Sequence, residues 1–123
     1  MQTVLITGAT SGIGLTIANM LTDHGFNVFG TSRNPEKHKD SVTFELLSLD
    51  VTSGESIKDC VAMFLSKSST IDILINNAGI GICGPAEETG HELAFKQFQT
   101  NFWEQYNCLK HFCRQCVGND MGR

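Results

Sequence analysis

Thr7-Gly8-Ala9-Thr10-Ser11-Gly12-Ile13-Gly14 follows a short apolar, β-rich run, Val4-Leu5-Ile6, and precedes residues spaced as in a helix. A loop so placed holds a phosphate well, because free backbone N–H groups and the positive end of the helix dipole both point at it. Gly8 allows the tight turn, Gly12 lets the backbone approach a pyrophosphate, and Gly14 lets the helix pack closely on the strand. Thr10, Ser11 and Ile13 complete the expected contact set. The spacing is G-x-x-x-G-x-G and not G-x-G-x-x-G. No Lys follows the last glycine, so this is not a nucleoside-triphosphate loop.

Two further sites stand at strand ends. Gly30-Thr31-Ser32-Arg33-Asn34 closes the second strand. An acidic residue at this place, roughly 20 residues past the glycine loop, would hold the ribose hydroxyls of NAD. None is present. Ser32 and Arg33 would instead welcome a 2′-phosphate, Arg33 through its fork of donors. The expected cofactor is therefore NADP(H) in preference to NAD(H). Asn76-Asn77-Ala78-Gly79 ends the fourth strand, where ligands of open α/β sheets lie, and its small residues let a cofactor sit close. Asp50-Val51 ends the third strand, where a carboxylate and adjacent backbone can accept from an adenine amino group. Taken singly these are weak signals: Asn-Asn is a common turn, and Asp50 before Thr52 also serves to start a helix.

The elements that must position these residues follow from periodicity. Strands are expected up to Thr7, over 26–31, over 43–49 and over 71–75. Ile13, Ile17, Met20 and Leu21 recur at helical spacing, with Gly25 as the stop. Thr52 and Glu55 make a capping box for a helix whose buried stripe is Ile57, Cys60, Val61, Phe64 and Leu65. Residues 33–41 read as a loop with Pro35, and 76–90 as a glycine-rich loop. A long helix is expected from about Glu92 to Val117, with Phe95, Phe98, Phe102, Tyr106, Leu109 and Cys113 as its buried face. Strands alternating with helices give a parallel sheet with helices on both faces and right-handed crossovers.

The whole composition agrees with one domain. The chain has 123 residues, nine Lys and Arg against thirteen Asp and Glu, and a net charge of −4. A basic nucleic-acid surface and a polybasic membrane patch are excluded. The hydrophobic fraction of 41% suffices for a core. The longest apolar runs are far too short for a membrane span, and no secretory signal is expected, since no basic stretch precedes a long apolar segment at the start of the sequence. Five cysteines, an odd number, argue against a secreted disulfide framework and for reduced thiols in the cytoplasm.

In order and spacing, Thr7-Gly8-x-x-x-Gly12-Ile13-Gly14, Asp50-Val51, Asn76-Asn77-Ala78-Gly79 and Asn101 resemble the short-chain dehydrogenase/reductase family over the whole chain. The resemblance implies a doubly wound Rossmann-type parallel sheet, here incomplete, with about four strands in the order 3-2-1-4. It implies a nicotinamide dinucleotide and hydride transfer to or from a small carbonyl or alcohol substrate. Asn101 corresponds to the family's Asn that holds a water in the proton relay. Oligomers of the family commonly pair through the long helix expected here, so a homo-oligomer is possible but not readable.

The chain departs from the family where catalysis is completed. A Ser and a Tyr-x-x-x-Lys are needed after a fifth strand. Tyr106-Asn107-Cys108-Leu109-Lys110 fits as text, but it begins five residues after Asn101 inside the same helix, and reads as coincidence. The family's Gly-Arg pair before strand five matches Gly122-Arg123. Residues 1–123 are thus expected to be one NAD(P)-binding domain, C-terminally truncated and inactive alone. Two other readings are a non-catalytic nucleotide-binding or regulatory module, and a thiol or metal protein built on His111, Cys113 and Cys116, whose cysteines share one helix face. No metal ligand set is complete.

Overall fold

The computed structural model describes residues 1–81 and 83–116. Strands β1 (Thr3–Ile6), β2 (Asn27–Ser32), β3 (Glu45–Ser48) and β4 (Ile73–Ile75) form one parallel sheet in the order β3-β2-β1-β4. This is the strand order that the family resemblance implies. In register, Leu5 pairs with Phe29 and with Leu74, and Ser32 with Ser48. β1 is central, and all four of its residues are buried.

Alternate residues of β1 feed two cores, because successive side chains of a strand point to opposite faces. Leu5 joins Phe29, Leu47, Ile57, Cys60, Val61, Phe64, Cys108 and Phe112 on one face, while Ile6 joins Val28, Ala18 and Phe44 on the other. Phe64 stands edge-on to Phe29 at 5.0 Å and to Phe112 at 6.5 Å. Each such ring, fully buried, contributes about 1.5–3 kcal/mol.

Among the described residues three helices pack on the sheet, α1 (Gly12–Asp23), α2 (Gly54–Lys67) and α4 (Glu104–Cys116); a further helix, α3 (His91–Phe98), leads into α4 through a π-helical turn over Gln99–Trp103. α1 stops where expected. Gly25 has φ +84°, its N–H donates to the Thr22 carbonyl at 3.0 Å, and the Phe26 N–H donates to Leu21 at 3.1 Å. That pair of bonds satisfies two of the last carbonyls of the helix. The loop over 33–41 contains two 3₁₀ turns, Pro35–Lys37 and Lys39–Ser41.

Several expectations are corrected. Ile13 and Met20 are 74% and 51% exposed. α1 fully buries Gly14, where the glycine loop leaves no room for a side chain, and Ala18, while Ile17 and Leu21 pack partly buried against the same core. Leu65 is exposed at the edge of the α2 stripe. The cap of α2 is Ser53, whose hydroxyl accepts from the Ser56 N–H at 3.2 Å; Thr52 is engaged by Asp50 instead.

The largest correction concerns the last helix. Phe95, Phe98, Phe102, Tyr106 and Leu109 are exposed, by 38% to 65%. α3 buries no residue, and the strip that faces the core is Thr100, Gln105, Cys108 and Phe112. The aromatic residues pack on each other, Phe98 stacking on Phe102 at 5.3 Å. The Val117 end of this helix, Ile82 and the Gly122-Arg123 pair lie outside the described residues. Among those described, no helix is long and apolar enough to cross a membrane.

Candidate functional site

The glycine loop is held by two buried threonines that flank it in space. Thr7 lies at the end of β1, and its hydroxyl oxygen accepts from the N–H groups of both Asn77 and Ala78 at 3.0 Å. Asn77 returns the tie: its side-chain amide donates to the carbonyls of Thr7 at 3.1 Å and Gly8 at 2.9 Å. On the other side Thr31 accepts from Gly8 N–H through its hydroxyl at 3.3 Å and from Ala9 N–H through its carbonyl at 2.9 Å. Three strand ends are thereby bound into one ledge at the carboxyl edge of the sheet. Gly30 belongs to it, since a Cβ there would come within 2.6 Å of the Phe44 ring and 2.7 Å of Ala9.

The glycines of the loop do different work. Gly8 has φ +68° and lies against Ala78, while Gly12 has φ +53° and no atom within 4 Å of where a Cβ would stand. A Cβ on Gly14 would meet the Gly8 carbonyl oxygen at 2.2 Å. Gly12 therefore opens to free space, and Gly14 closes the joint between helix and strand.

The N-terminus of α1 is available to an anion. Ser11 is its cap residue but makes no side-chain cap bond, and no acidic residue occupies the first turn. The first N–H groups of a helix have no partner one turn back. In α2 the corresponding position is closed by Ser53. Thr10 is half-buried and Ser11 exposed.

At the end of β2, Ser32 is buried, and its hydroxyl oxygen accepts from Asn34 N–H at 3.1 Å. Arg33 is exposed. Asp50 accepts from the Thr52 hydroxyl at 2.6 Å and the Thr52 N–H at 3.0 Å, so its side chain closes the turn that precedes α2, whose start is capped by Ser53. Val51 turns its side chain into the core.

The Thr52 hydroxyl, then the Thr52 N–H, hold the Asp50 carboxyl below the usual carboxylate range; slight burial opposes them and the Arg33 charge assists. A carboxyl depressed by folding adds stability above its unfolded pKa of about 3.9 and loses it as pH falls through the lower folded value. Replacing Asp50 with Asn should therefore flatten the stability profile between about pH 5 and pH 2 by a few tenths of a kcal/mol, a small effect because the group is largely solvated. Urea unfolding at several pH values checks this.

Asn101 lies in the π-helical turn. Its Oδ1 accepts from Ile80 N–H at 2.8 Å and its Nδ2 donates to the Ile80 carbonyl at 2.6 Å. The side chain thus fixes the loop after Gly79, leaving one Nδ2 hydrogen and one Oδ1 lone pair for other partners. Tyr106 and Lys110 are both exposed on α4. Cys108 is buried, which pushes its thiol up to about 12 and makes it a poor nucleophile. His111 Nδ1 is paired with the Asn107 carbonyl at 2.9 Å. The Cys116 side chain lies outside what is described, and among the described residues no three His, Cys, Asp or Glu are grouped to hold a metal.

A family model for short chain dehydrogenases matches residues 2–123. The chain belongs to the short-chain dehydrogenase family. Its sequence is similar to the 3-ketodihydrosphingosine reductase of Bacteroides thetaiotaomicron, 41% identical over 109 residues, covering 89% of this chain and 40% of that protein. It is also similar to the probable short-chain type dehydrogenase/reductase VdlC of Helicobacter pylori, 36% identical over 101 residues, covering 80% of this chain and 37% of that one. Among solved structures it superposes on a short-chain dehydrogenase from Streptomyces avermitilis with TM-score 0.83 and 34% identity, covering 93% of this chain and 44% of that one. A variant of actinorhodin polyketide ketoreductase, solved with NADPH, matches with TM-score 0.79 and 31% identity, over 93% and 47% of the two chains. This short-chain dehydrogenase chain spans less than half the length of these relatives.

The motif residues named from the sequence meet at one edge of the sheet, Asn101 reaching it through Ile80. Thr31 and Gln105 were not singled out. A buried threonine or glutamine at an element end has no periodic signature; only the partner across the ledge shows its use.

Proposed function

We propose that residues 1–123 are one domain, the NADP(H)-binding portion of a short-chain dehydrogenase/reductase, a protein that moves hydride between nicotinamide and a small carbonyl or alcohol. The observation that carries this reading is the uncapped N-terminus of α1 beside the open space at Gly12. These residues fit a dinucleotide. The N–H groups after Ser11 would take the pyrophosphate. Ser32 and Arg33 would take the 2′-phosphate, and Asp50 and Val51 lie at the strand end expected to face the adenine. Asn77, Ala78 and Gly79 would border the nicotinamide side. When bound, the nicotinamide supplies or accepts the hydride.

What this chain's own residues do is bind and orient. The ties among Thr7, Asn77 and Thr31 set the ledge before any ligand arrives, so little ordering cost remains at binding. The likeness to a ketoreductase solved with NADPH supports the phosphate preference. The working protein belongs in the cytoplasm, with its cysteines reduced.

The test is Arg33→Ala. The unsubstituted chain should bind NADPH about tenfold to a hundredfold more tightly than NADH, the worth of one bidentate charge-assisted contact of about 1.5–3 kcal/mol. The substitution should erase most of that difference and leave NADH affinity nearly unchanged. Equal affinity for both cofactors before substitution would sink the preference.

The exposure of Tyr106 and Lys110 on α4 favours a second reading, a nucleotide-binding module without catalysis of its own. Reading the gene past Arg123 for a Ser and a Tyr-x-x-x-Lys separates the two.

A further inference from the structure

Gln105 is a buried polar residue that dinucleotide binding leaves unexplained. It is 9% exposed, on a strip of α4 it shares with Cys108 and Phe112. Its Nε2 donates to the Ala78 carbonyl. Its Oε1 is enclosed and has no partner among the described residues. A carbonyl only accepts, so the contact with Ala78 determines which end of the amide faces it. An enclosed amide oxygen without a donor is costly, and an apolar side chain would suit a neighbour of Cys108 and Phe112 better on stability alone.

The π-helical turn explains how Gln105 comes to lie there. The buried positions run Thr100, Gln105, Cys108, Phe112. The first step is five residues, the hydrogen-bond interval of a π turn, and the next two are the three and four of an α-helix. Without the extra residue, Glu104 would stand beneath Thr100. With it, Asn101 holds Ile80 and Gln105 holds Ala78, on either side of Gly79. Gly79 has no room for more, since a Cβ there would approach the Asn101 Oδ1 to 2.9 Å. Ala78 in turn is tied to Thr7 and lies against Gly8.

We propose that Gln105 is a positioning residue: it fixes the Asn77-Ala78-Gly79 turn, and through Ala78 the register of that turn against the glycine loop. The effect on cofactor affinity rests on the nucleotide-binding reading; the effect on the turn does not.

The test is Gln105→Met, which keeps length and removes both the bond and the enclosed oxygen. Amide exchange at Asn77, Ala78, Gly79 and Ile80 should speed up about three- to tenfold, and NADPH affinity should fall by about the same factor, the worth of one net hydrogen bond. The melting temperature should hold or rise, whereas a merely structural role would lower it. In the unsubstituted chain one Nε2 hydrogen of Gln105 should be shifted and protected in NMR spectra, a measurement that stands even if the variant misfolds. Unchanged exchange over 77–80, or an unprotected Gln105 amide, would overturn the proposal. If the parent chain bound no NADPH while exchange still depended on Gln105, the nucleotide reading would fail and the positioning role would stand.

Discussion

Gly12→Val should leave the chain folded and abolish its binding of NADPH. The two halves of this expectation have separate causes. Gly12 has φ +53°, a conformation that costs an L-residue about 1–2 kcal/mol and a β-branched one more, so the midpoint of unfolding should drop measurably. No atom lies within 4 Å of the new Cβ, so nothing in the fold must move to admit it. The added isopropyl group instead fills the space in front of the first N–H groups of α1, where the pyrophosphate would lie. Losing that approach removes several charge-assisted hydrogen bonds at once, each worth about 1.5–3 kcal/mol, which takes affinity beyond ordinary titration. Far-ultraviolet circular dichroism establishes folding, and fluorescence titration with NADPH reads binding. Unchanged affinity in a folded Gly12→Val chain would place the phosphate site elsewhere.

Gly14→Ala should do the reverse and strike the fold itself. Its single methyl group would lie 2.2 Å from the Gly8 carbonyl oxygen and 2.4 Å from Asn77 Nδ2. Neither neighbour can yield cheaply. Gly8 is backbone in a turn tied to Thr31, and the Asn77 amide is engaged by the Thr7 and Gly8 carbonyls. Relief requires α1 to withdraw from β1 or Asn77 to leave its partners. Overpacking typically costs about 1–3 kcal/mol and occasionally more, and each displaced hydrogen bond adds about 1 kcal/mol. A total of about 3–5 kcal/mol is a large part of the 5–15 kcal/mol that holds a typical domain together. Urea unfolding of parent and variant measures it directly. A midpoint equal to the parent's would mean that α1 is seated more loosely on the glycine loop than the contacts of Gly14 require.

The two glycines are two residues apart and indistinguishable by composition, yet one faces open space and the other closes the joint. The spacing within Thr7–Gly14 predicts that division, because a strand–turn–helix passage leaves few places for close backbone approach. The parallel sheet covered by helices was legible for a similar reason: short apolar runs separated by helix-length amphipathic segments admit little else. The strand order 3-2-1-4 came from the family resemblance, since periodicity does not order strands. The faces of the helices were less legible. Periodicity says that a helix has an apolar stripe, not that the stripe is covered. Phe95, Phe98, Phe102 and Tyr106 form a regular stripe that stays exposed among the described residues, while α4 turns Gln105, Cys108 and Phe112 inward.

What the sequence by itself determined is therefore the local arrangement: the glycine loop between strand and helix, the missing acid after β2, the small turn after β4 and the parallel architecture that gathers them. Each rests on a backbone constraint carried by a few adjacent residues. What only the tertiary structure decided is the set of ties between distant segments: Thr7 to Asn77 and Ala78, Thr31 to Gly8 and Ala9, Asn101 to Ile80, and Gln105 to Ala78. These partners lie 21 to 71 residues apart, so no local pattern records them. The shift from Glu104 to Gln105 as the inward residue came from a single π turn, which slips the helix face by one residue and leaves no mark in hydrophobic spacing.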